Sequence, residues 1–251
     1  MAWTKTFSGD EPIRVNKWLA REGVCSRREA EAAIAAGRVA IDGARVDDPG
    51  RKIEPGQTLA LEDDAGPAPM SFVLNKPIGY VSAQPEGAQI PAARLLTRAN
   101  LVGDCARMPT SRTSLAPLGR LDQDSRGLLI LSEDGVLAKA LIGEDSVLDK
   151  EYKVRVEGAL NADKFARLRH GLMLDGKSLK PAKIDQLAPG LVRFVLNEGR
   201  KRQIRRMCEL VGLKVIDLQR VRIGPLSLGD LPEGKWRALT GAERASLLRR
   251  G

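Results

Sequence analysis

The sequence predicts an α+β protein in two parts, a small N-terminal module followed by a larger domain of mixed strands and helices. Three observations lead there. At 251 residues the chain exceeds the usual single-domain size, which favours a small module plus a domain of roughly 150 to 200 residues. The run Asp63 to Pro69 (DDAGPAP) can continue neither a helix nor a central strand, so a boundary belongs there. Beyond it, strands and helices follow one another without a regular βαβ rhythm, which argues against a doubly wound sheet. The expected division is a module over 1–62, a linker over 63–69 and a domain over 70–251.

Within the module, Arg14 to Glu22 places Val15, Trp18, Leu19 and Glu22 at spacings of three and four, a short amphipathic helix that Gly23 can end. Ser26-Arg27-Arg28-Glu29 then has the S-x-x-E spacing of a capping box, with Ala30, Ala33 and Ile34 as the buried face before Gly37. Val39 to Ile41, a turn at Asp42-Gly43, Val46, and Leu59 to Leu61 read as short strands.

In the larger domain, Ser71 to Asn75 reads as a buried strand and Leu128 to Leu131 as another. Tyr152, Val154 and Val156 alternate with Lys153, Arg155 and Glu157 as in a half-buried strand. Asn161 to His170 suits a helix ended by Gly171. Leu191 to Leu196 and Lys214 to Ile223 are further strands. Lys201 to Val211 is a helix with Ile204, Met207, Cys208 and Val211 inward. Thr240-Gly241-Ala242-Glu243 is a second capping box, opening a C-terminal helix.

Composition narrows the chemistry. Lys and Arg number 41 against 32 Asp and Glu, a formal +9, which favours a polyanionic partner such as nucleic acid. No apolar run approaches the roughly 18 to 20 residues of a spanning helix, and the start MAWTKTFSGDEP lacks a signal peptide's apolar stretch, so no membrane partner and a cytoplasmic location are expected. Cys25, Cys105 and Cys208 are odd in number and lack a C-x-x-C pair, so free thiols and no metal site are expected. His170 is the only histidine, which leaves acid and base work to carboxylate, Tyr, Lys or Arg.

One tempting match is set aside. Gly171 to Ser178 fits the phosphate-loop pattern G-x-x-x-x-G-K-[ST], but a helical segment precedes it where a strand is needed, and Pro181 breaks the segment after it. A Ser/His/Asp hydrolase would need His170, which lies in a charged helix with no flanking nucleophile motif.

The informative segment is Leu118 to Gly135, LGRLDQDSRGLLILSEDG, where a polar, glycine-containing run delivers Asp122 just before an apolar strand. On residue types alone a charged hairpin is the favoured reading. The segment resembles, however, the G-R-L-D-x-x-[ST]-x-G-L-[LI] signature of pseudouridine synthases, whose invariant aspartate falls on Asp122. Asn75-Lys76-Pro77-Ile78-Gly79 resembles the family's K-P-x-G segment, which implies that Lys76 and Pro77 support the active site from behind the catalytic loop. Lys150-Glu151-Tyr152 resembles the K-x-Y strand, which puts Tyr152 against the target base. Asn197 to Met207 (NEGRKRQIRRM) is similar to the third motif, whose catalytic arginine falls on Arg205.

The segment Ile13 to Val46 resembles the small S4-like RNA-binding module, with Arg14, Lys17, Arg27, Arg28 and Arg38 as implied phosphate contacts. Arg120, Arg200, Lys201, Arg202 and Arg206 are further RNA-binding candidates. The module joined to this catalytic domain resembles the ribosomal branch of the family, and RKRQIRRMCELVG is most similar to the F type among its large-subunit enzymes. The resemblance implies a largely antiparallel catalytic sheet, no cofactor and a ribosomal RNA substrate, more readily that of the large subunit. A tRNA is an additional candidate, and no obligate protein partner is implied. A non-catalytic RNA-binding or ribosome-assembly protein with the same fold is the alternative.

The chemistry suits these residue types. Pseudouridine formation breaks the glycosidic bond, turns the uracil and reattaches it through carbon, with no net redox. An ionised carboxylate can serve, and an arginine paired with it, here expected to be Arg205 with Asp122, would hold its charge and orientation. Attack at the anomeric carbon, attack at ring carbon six and elimination to a glycal all remain open. A stacked base is inaccessible, so the uridine should be flipped out and held against an aromatic ring.

Overall fold

The computed structural model describes residues 3–62, 69–110, 113–143 and 146–249. Contacts divide the chain into two compact units, the first comprising Met1–Pro69 with Asp134–Lys139, the second Met70–Glu133 with Ala140–Gly251. All of the expected linker except Pro69 lies outside the described residues.

In the first unit, helices Val15–Arg21 and Arg27–Ala35 follow one another closely. The second begins where its sequence says it should: the Ser26 hydroxyl accepts from the Glu29 amide at 3.2 Å, and the Glu29 carboxylate accepts from the Ser26 amide at 2.6 Å. These bonds satisfy two of the donors that a helix start leaves unpaired. The helices accompany a four-stranded antiparallel sheet in the order Trp3–Thr6, Thr58–Leu61, Val39–Ile41, Ala44–Arg45. The last two strands form a hairpin through Asp42 (φ 50°) and Gly43 (φ 81°), the left-handed pair that a two-residue hairpin turn needs. Val46 falls just beyond that strand, though it is buried. Trp18 anchors the core, with Trp3 and Phe7 meeting it edge-on at 5.5 and 5.2 Å. The strand Trp3–Thr6 carries no sequence alternation that marks it, and it forms because Thr58–Leu61 offers a full register of partners.

The second unit is built on one mixed sheet. Its order is Lys183–Ala188, Leu191–Leu196, Lys150–Glu157, Lys214–Ile223, Arg126–Ser132, Ser71–Lys76, Trp236–Ala238. Along this path every neighbouring pair is antiparallel except Arg126–Ser132 with Lys214–Ile223, which run parallel through the register pairs Arg126 with Gln219 and Gly127 with Arg220. Gly127 is required there: its φ is 105°, and a Cβ would lie 2.3 Å from the Arg220 carbonyl oxygen.

Helices Ala162–Arg169, Gln203–Leu210 and Gly241–Leu248 belong to this unit. The last opens on the Thr240–Glu243 capping box. The helix expected over Lys201 to Val211 begins two residues later, because Arg202 adopts a left-handed conformation (φ 52°) in front of it. The phosphate-loop look-alike is a β-hairpin of Met173–Leu174 and Lys177–Ser178 turning through Asp175 and Gly176, both at positive φ. No cradle for a phosphate forms there. No described helix is long and apolar enough to cross a membrane, and among the described residues no group of His, Cys, Asp and Glu could hold a metal ion.

Candidate active site

Asp122 sits on the loop that leads into the strand Arg126–Ser132. Leu121 before it is buried in a cluster with Phe72, Leu74, Leu129 and Trp236, while the Asp122 side chain remains 42% exposed. The turn after it closes through the Ser125 amide to the Asp122 carbonyl at 3.1 Å. The sequence thus buries the residue ahead of the carboxylate and leaves the carboxylate facing solvent.

The K-P-x-G segment lies against this loop. The Gly79 amide donates to the Gln123 carbonyl at 2.8 Å, and Gln123 Nε2 returns a bond to the Gly79 carbonyl at 3.1 Å. Lys76 is fully buried, with its ammonium donating to the Pro77 and Tyr80 carbonyls at 2.9 and 2.8 Å. Burial pushes its pKa down to about 8, against the attraction of Asp124, Asp122 and Glu233, which holds it up. Its charge therefore belongs to the field around the loop carboxylates.

The arginines are arranged differently from the expectation. Arg205 does not pair with Asp122. Its Nη2 donates to the Asp124 carbonyl at 2.6 Å, and its Nε lies 3.4 Å from the Asp124 carboxylate without hydrogen-bond alignment. Arg202, lifted by its left-handed backbone, grips the Asp124 carboxylate with both terminal nitrogens at 3.1 and 2.9 Å and lies 3.7 Å from Asp122. Arg205, inside the helix, reaches the Asp124 peptide and carboxylate, whereas Arg202, which precedes the helix, lies within ion-pair reach of both Asp122 and Asp124. Burial tends to raise the pKa of Asp124, but the bonds from Arg202 and the charge of Arg205 outweigh it and hold the carboxyl below its usual value.

Tyr152 lies on the strand Lys150–Glu157, paired with Phe194 on one side and Arg220 on the other. It packs against both large clusters of the unit, the one that holds Leu121 and the one that holds Ile204 and Met207. The neighbours of Asp122 and of Arg205 therefore meet at this ring.

Other basic candidates are already engaged. Arg200 donates to the Leu174, Lys177 and Ser178 carbonyls at 2.8, 3.1 and 2.6 Å. Arg206 holds Asp175 through two bonds at 2.9 and 2.7 Å. Arg120 and Lys201 are exposed, as are Arg14, Lys17, Arg27 and Arg28 in the first unit, whereas Arg38 is half-buried.

Sequence reasoning missed three residues here. Asp124 gathers both arginines. Ser82 and Arg220 hold the backbone ahead of Asp122, the first through Leu121 and the second through Gly119 and Arg120. A signal for Arg220 existed: it shares the inward phase of its strand with Leu218, where a charge is out of place. The three thiols are free, and burial pushes Cys25 up to about 11 and Cys208 up to about 12, which makes both poor nucleophiles.

A family model described as RNA pseudouridylate synthase matches residues 71–210, and an S4 domain model matches residues 13–59. The chain belongs to the RNA pseudouridylate synthase family. The dual-specificity RNA pseudouridine synthase RluF of Escherichia coli is 33% identical over 245 residues, an alignment covering 96% of this chain and 80% of the relative. The ribosomal large subunit pseudouridine synthase B of Pseudomonas aeruginosa is 36% identical over 245 residues, covering 92% of this chain and 60% of that protein. A crystal structure of a pseudouridylate synthase shares the fold with a TM-score of 0.64 at 27% identity, covering 94% of this chain and 99% of that one. The enzyme is thus an RNA pseudouridine synthase with an S4 domain ahead of its catalytic domain, and its polyanionic partner is RNA.

Proposed function

We propose that this synthase converts a uridine of ribosomal RNA to pseudouridine, with large-subunit RNA as the favoured substrate and Asp122 as the catalytic carboxylate. The observation that carries the reading is a half-exposed carboxylate on a loop whose flanking peptides are tied down on both sides, with a tyrosine packed against the core that holds the preceding Leu121. The names of the relatives, one a ribosomal large-subunit enzyme and one an RNA synthase of dual specificity, support the substrate class; a tRNA is carried as an additional candidate. Such an enzyme works in the cytoplasm, where ribosomal RNA is made and matured in bacteria.

In this reading residues 1–62 bind RNA through Arg14, Lys17, Arg27, Arg28 and Arg38, residues 63–69 link, and residues 70–251 carry out the reaction. Arg120 and Lys201 grip displaced phosphates, and Arg200, Arg202 and Arg206 add to the same positive field while bracing the site. The uridine is flipped from its stack onto Tyr152. The bond from N1 to the ribose breaks, the uracil turns, a bond forms from C5 to the ribose, C5 loses its proton and N1 gains one. No electron or group donor is required. Asp122 serves as nucleophile or base, and the Arg202 guanidinium lies 3.7 Å from its carboxylate. Arg205 acts on the reaction through the Asp124 peptide.

Asp122→Asn tests this. The amide keeps the shape and the turn preference of aspartate but cannot act as nucleophile or base. Large-subunit ribosomal RNA labelled with tritium at C5 of uridine should release it at less than about a hundredth of the wild-type rate with the variant, while filter binding and thermal melting stay nearly unchanged. Faster release by the variant would refute the catalytic role of Asp122. Mapping pseudouridines in cells with and without the protein identifies the nucleotide.

A further inference from the structure

We propose that Ser82 is a positioning residue for the isomerisation, acting with Arg220 to fix the backbone that carries Asp122; this rests on the assignment of Asp122 above. The buried Ser82 hydroxyl donates to the Leu121 carbonyl at 2.7 Å and accepts from the Leu121 amide at 2.9 Å. One side chain thus holds both polar groups of the residue before Asp122.

Arg220 extends the grip. It is 1% exposed and forms no ion pair among the described residues. Its guanidinium spends its bonds on backbone: Nε to the Leu128 carbonyl at 2.8 Å, Nη2 to Gly119 at 3.1 Å and Nη1 to Arg120 at 3.4 Å. The carbonyls of three consecutive residues, Gly119, Arg120 and Leu121, are therefore held by side chains from two separate segments. Ser82 is itself anchored, since it follows the strand Tyr80–Val81, whose Tyr80 carbonyl takes the buried Lys76 ammonium.

The backbone polar groups of Leu121 are buried and need protein partners, which Ser82 supplies, but Gly119 and Arg120 are less buried, and burying an arginine without a carboxylate to hold their carbonyls is costly. What the arrangement accomplishes is orientation: with peptides 119 to 121 immobile, the carboxylate at 122 is presented from one fixed point. A displacement of about 1 Å of a reacting group costs on the order of a hundredfold in rate, so a clamp on the peptides before it acts on turnover rather than on binding.

The test uses the full-length enzyme and unmodified large-subunit ribosomal RNA transcribed with C5-tritiated uridine. Ser82→Ala should lower the single-turnover rate at saturating enzyme about thirtyfold while the RNA Kd from filter binding stays within about twofold. Ser82→Thr, which keeps the hydroxyl, should recover to within about threefold of wild type. A fully active Ser82→Ala, a loss of rate matched by a loss of affinity, or a Thr variant as slow as the Ala variant would each overturn the proposal. If Ser82→Ala does not fold, a folded Ser82→Cys decides, since its weakly bonding thiol should be slow with wild-type affinity and full activity would count against the clamp. Asp122→Asn run in parallel separates the two ideas. An inactive Asp122→Asn beside a fully active Ser82→Ala removes the clamp alone, whereas an active Asp122→Asn removes the assignment beneath it.

Discussion

Two basic clusters that read alike in the sequence behave differently in the structure. Arg14, Lys17, Arg27 and Arg28 of the first unit are exposed and, among the described residues, form no ion pair. Arg200, Arg202 and Arg206, ahead of and within the helix Gln203–Leu210, are each tied to internal carboxylates or carbonyls. Charge density does not distinguish a surface that grips RNA from a frame that holds a loop; the partner of each side chain does. A free cation can exchange its counterion for a phosphate at little cost, whereas a guanidinium already spanning a carboxylate must first give that up.

Exchanging arginine for lysine breaks or sharpens this contrast. Arg205→Lys replaces a planar fork by a point charge at a site where backbone is held, and single-turnover rate should fall by roughly ten- to a hundredfold with RNA affinity nearly unchanged. Arg202→Lys is more exposed and keeps an attraction to both carboxylates, so the loss should be only several-fold, about three to ten. Equal losses would mean that Asp124, rather than its peptide, is the important contact.

The module should respond in the opposite sense. Arg27→Gln with Arg28→Gln should weaken RNA binding about tenfold and reduce the salt slope by about two, leaving the rate at saturating enzyme intact. A rate defect without an affinity defect would place these two residues in the frame instead.

The smallest effect concerns Lys76. Its folded pKa, about 8, lies below the unfolded lysine value of about 10.4. Between these values the unfolded chain binds more protons, so this group makes stability rise with pH across that window, and below about 8 the cost of burying the charge is present in full. Denaturant melts of wild type and Lys76→Met between these pH values should show a steeper rise in wild type.

Much of the fold was legible because it is encoded locally. The Ser26–Glu29 and Thr240–Glu243 boxes, the Asp42-Gly43 turn, and the strands Leu191–Leu196 and Lys214–Ile223 depend on residues a few positions apart. The loop aspartate was legible through resemblance rather than residue type. The remainder depends on contacts distant in sequence. Ser82 meets Leu121 across 39 positions and Arg220 meets Gly119 across 101, and neither residue type announces such a partner. The expected Asp122–Arg205 pairing is replaced locally: the left-handed turn at Arg202 moves the helix start, and it is the earlier arginine that comes within 3.7 Å of Asp122.

Gly127 joins two properties that are usually separate. A methyl group there would press on the carbonyl of Arg220, the residue whose guanidinium holds the peptides ahead of Asp122. Most strand positions absorb a small misfit by a rotamer change nearby, and sequence drift at them is silent. At this one the misfit falls on the backbone of the arginine that holds the loop, so variation in the strand is coupled to the placement of the loop.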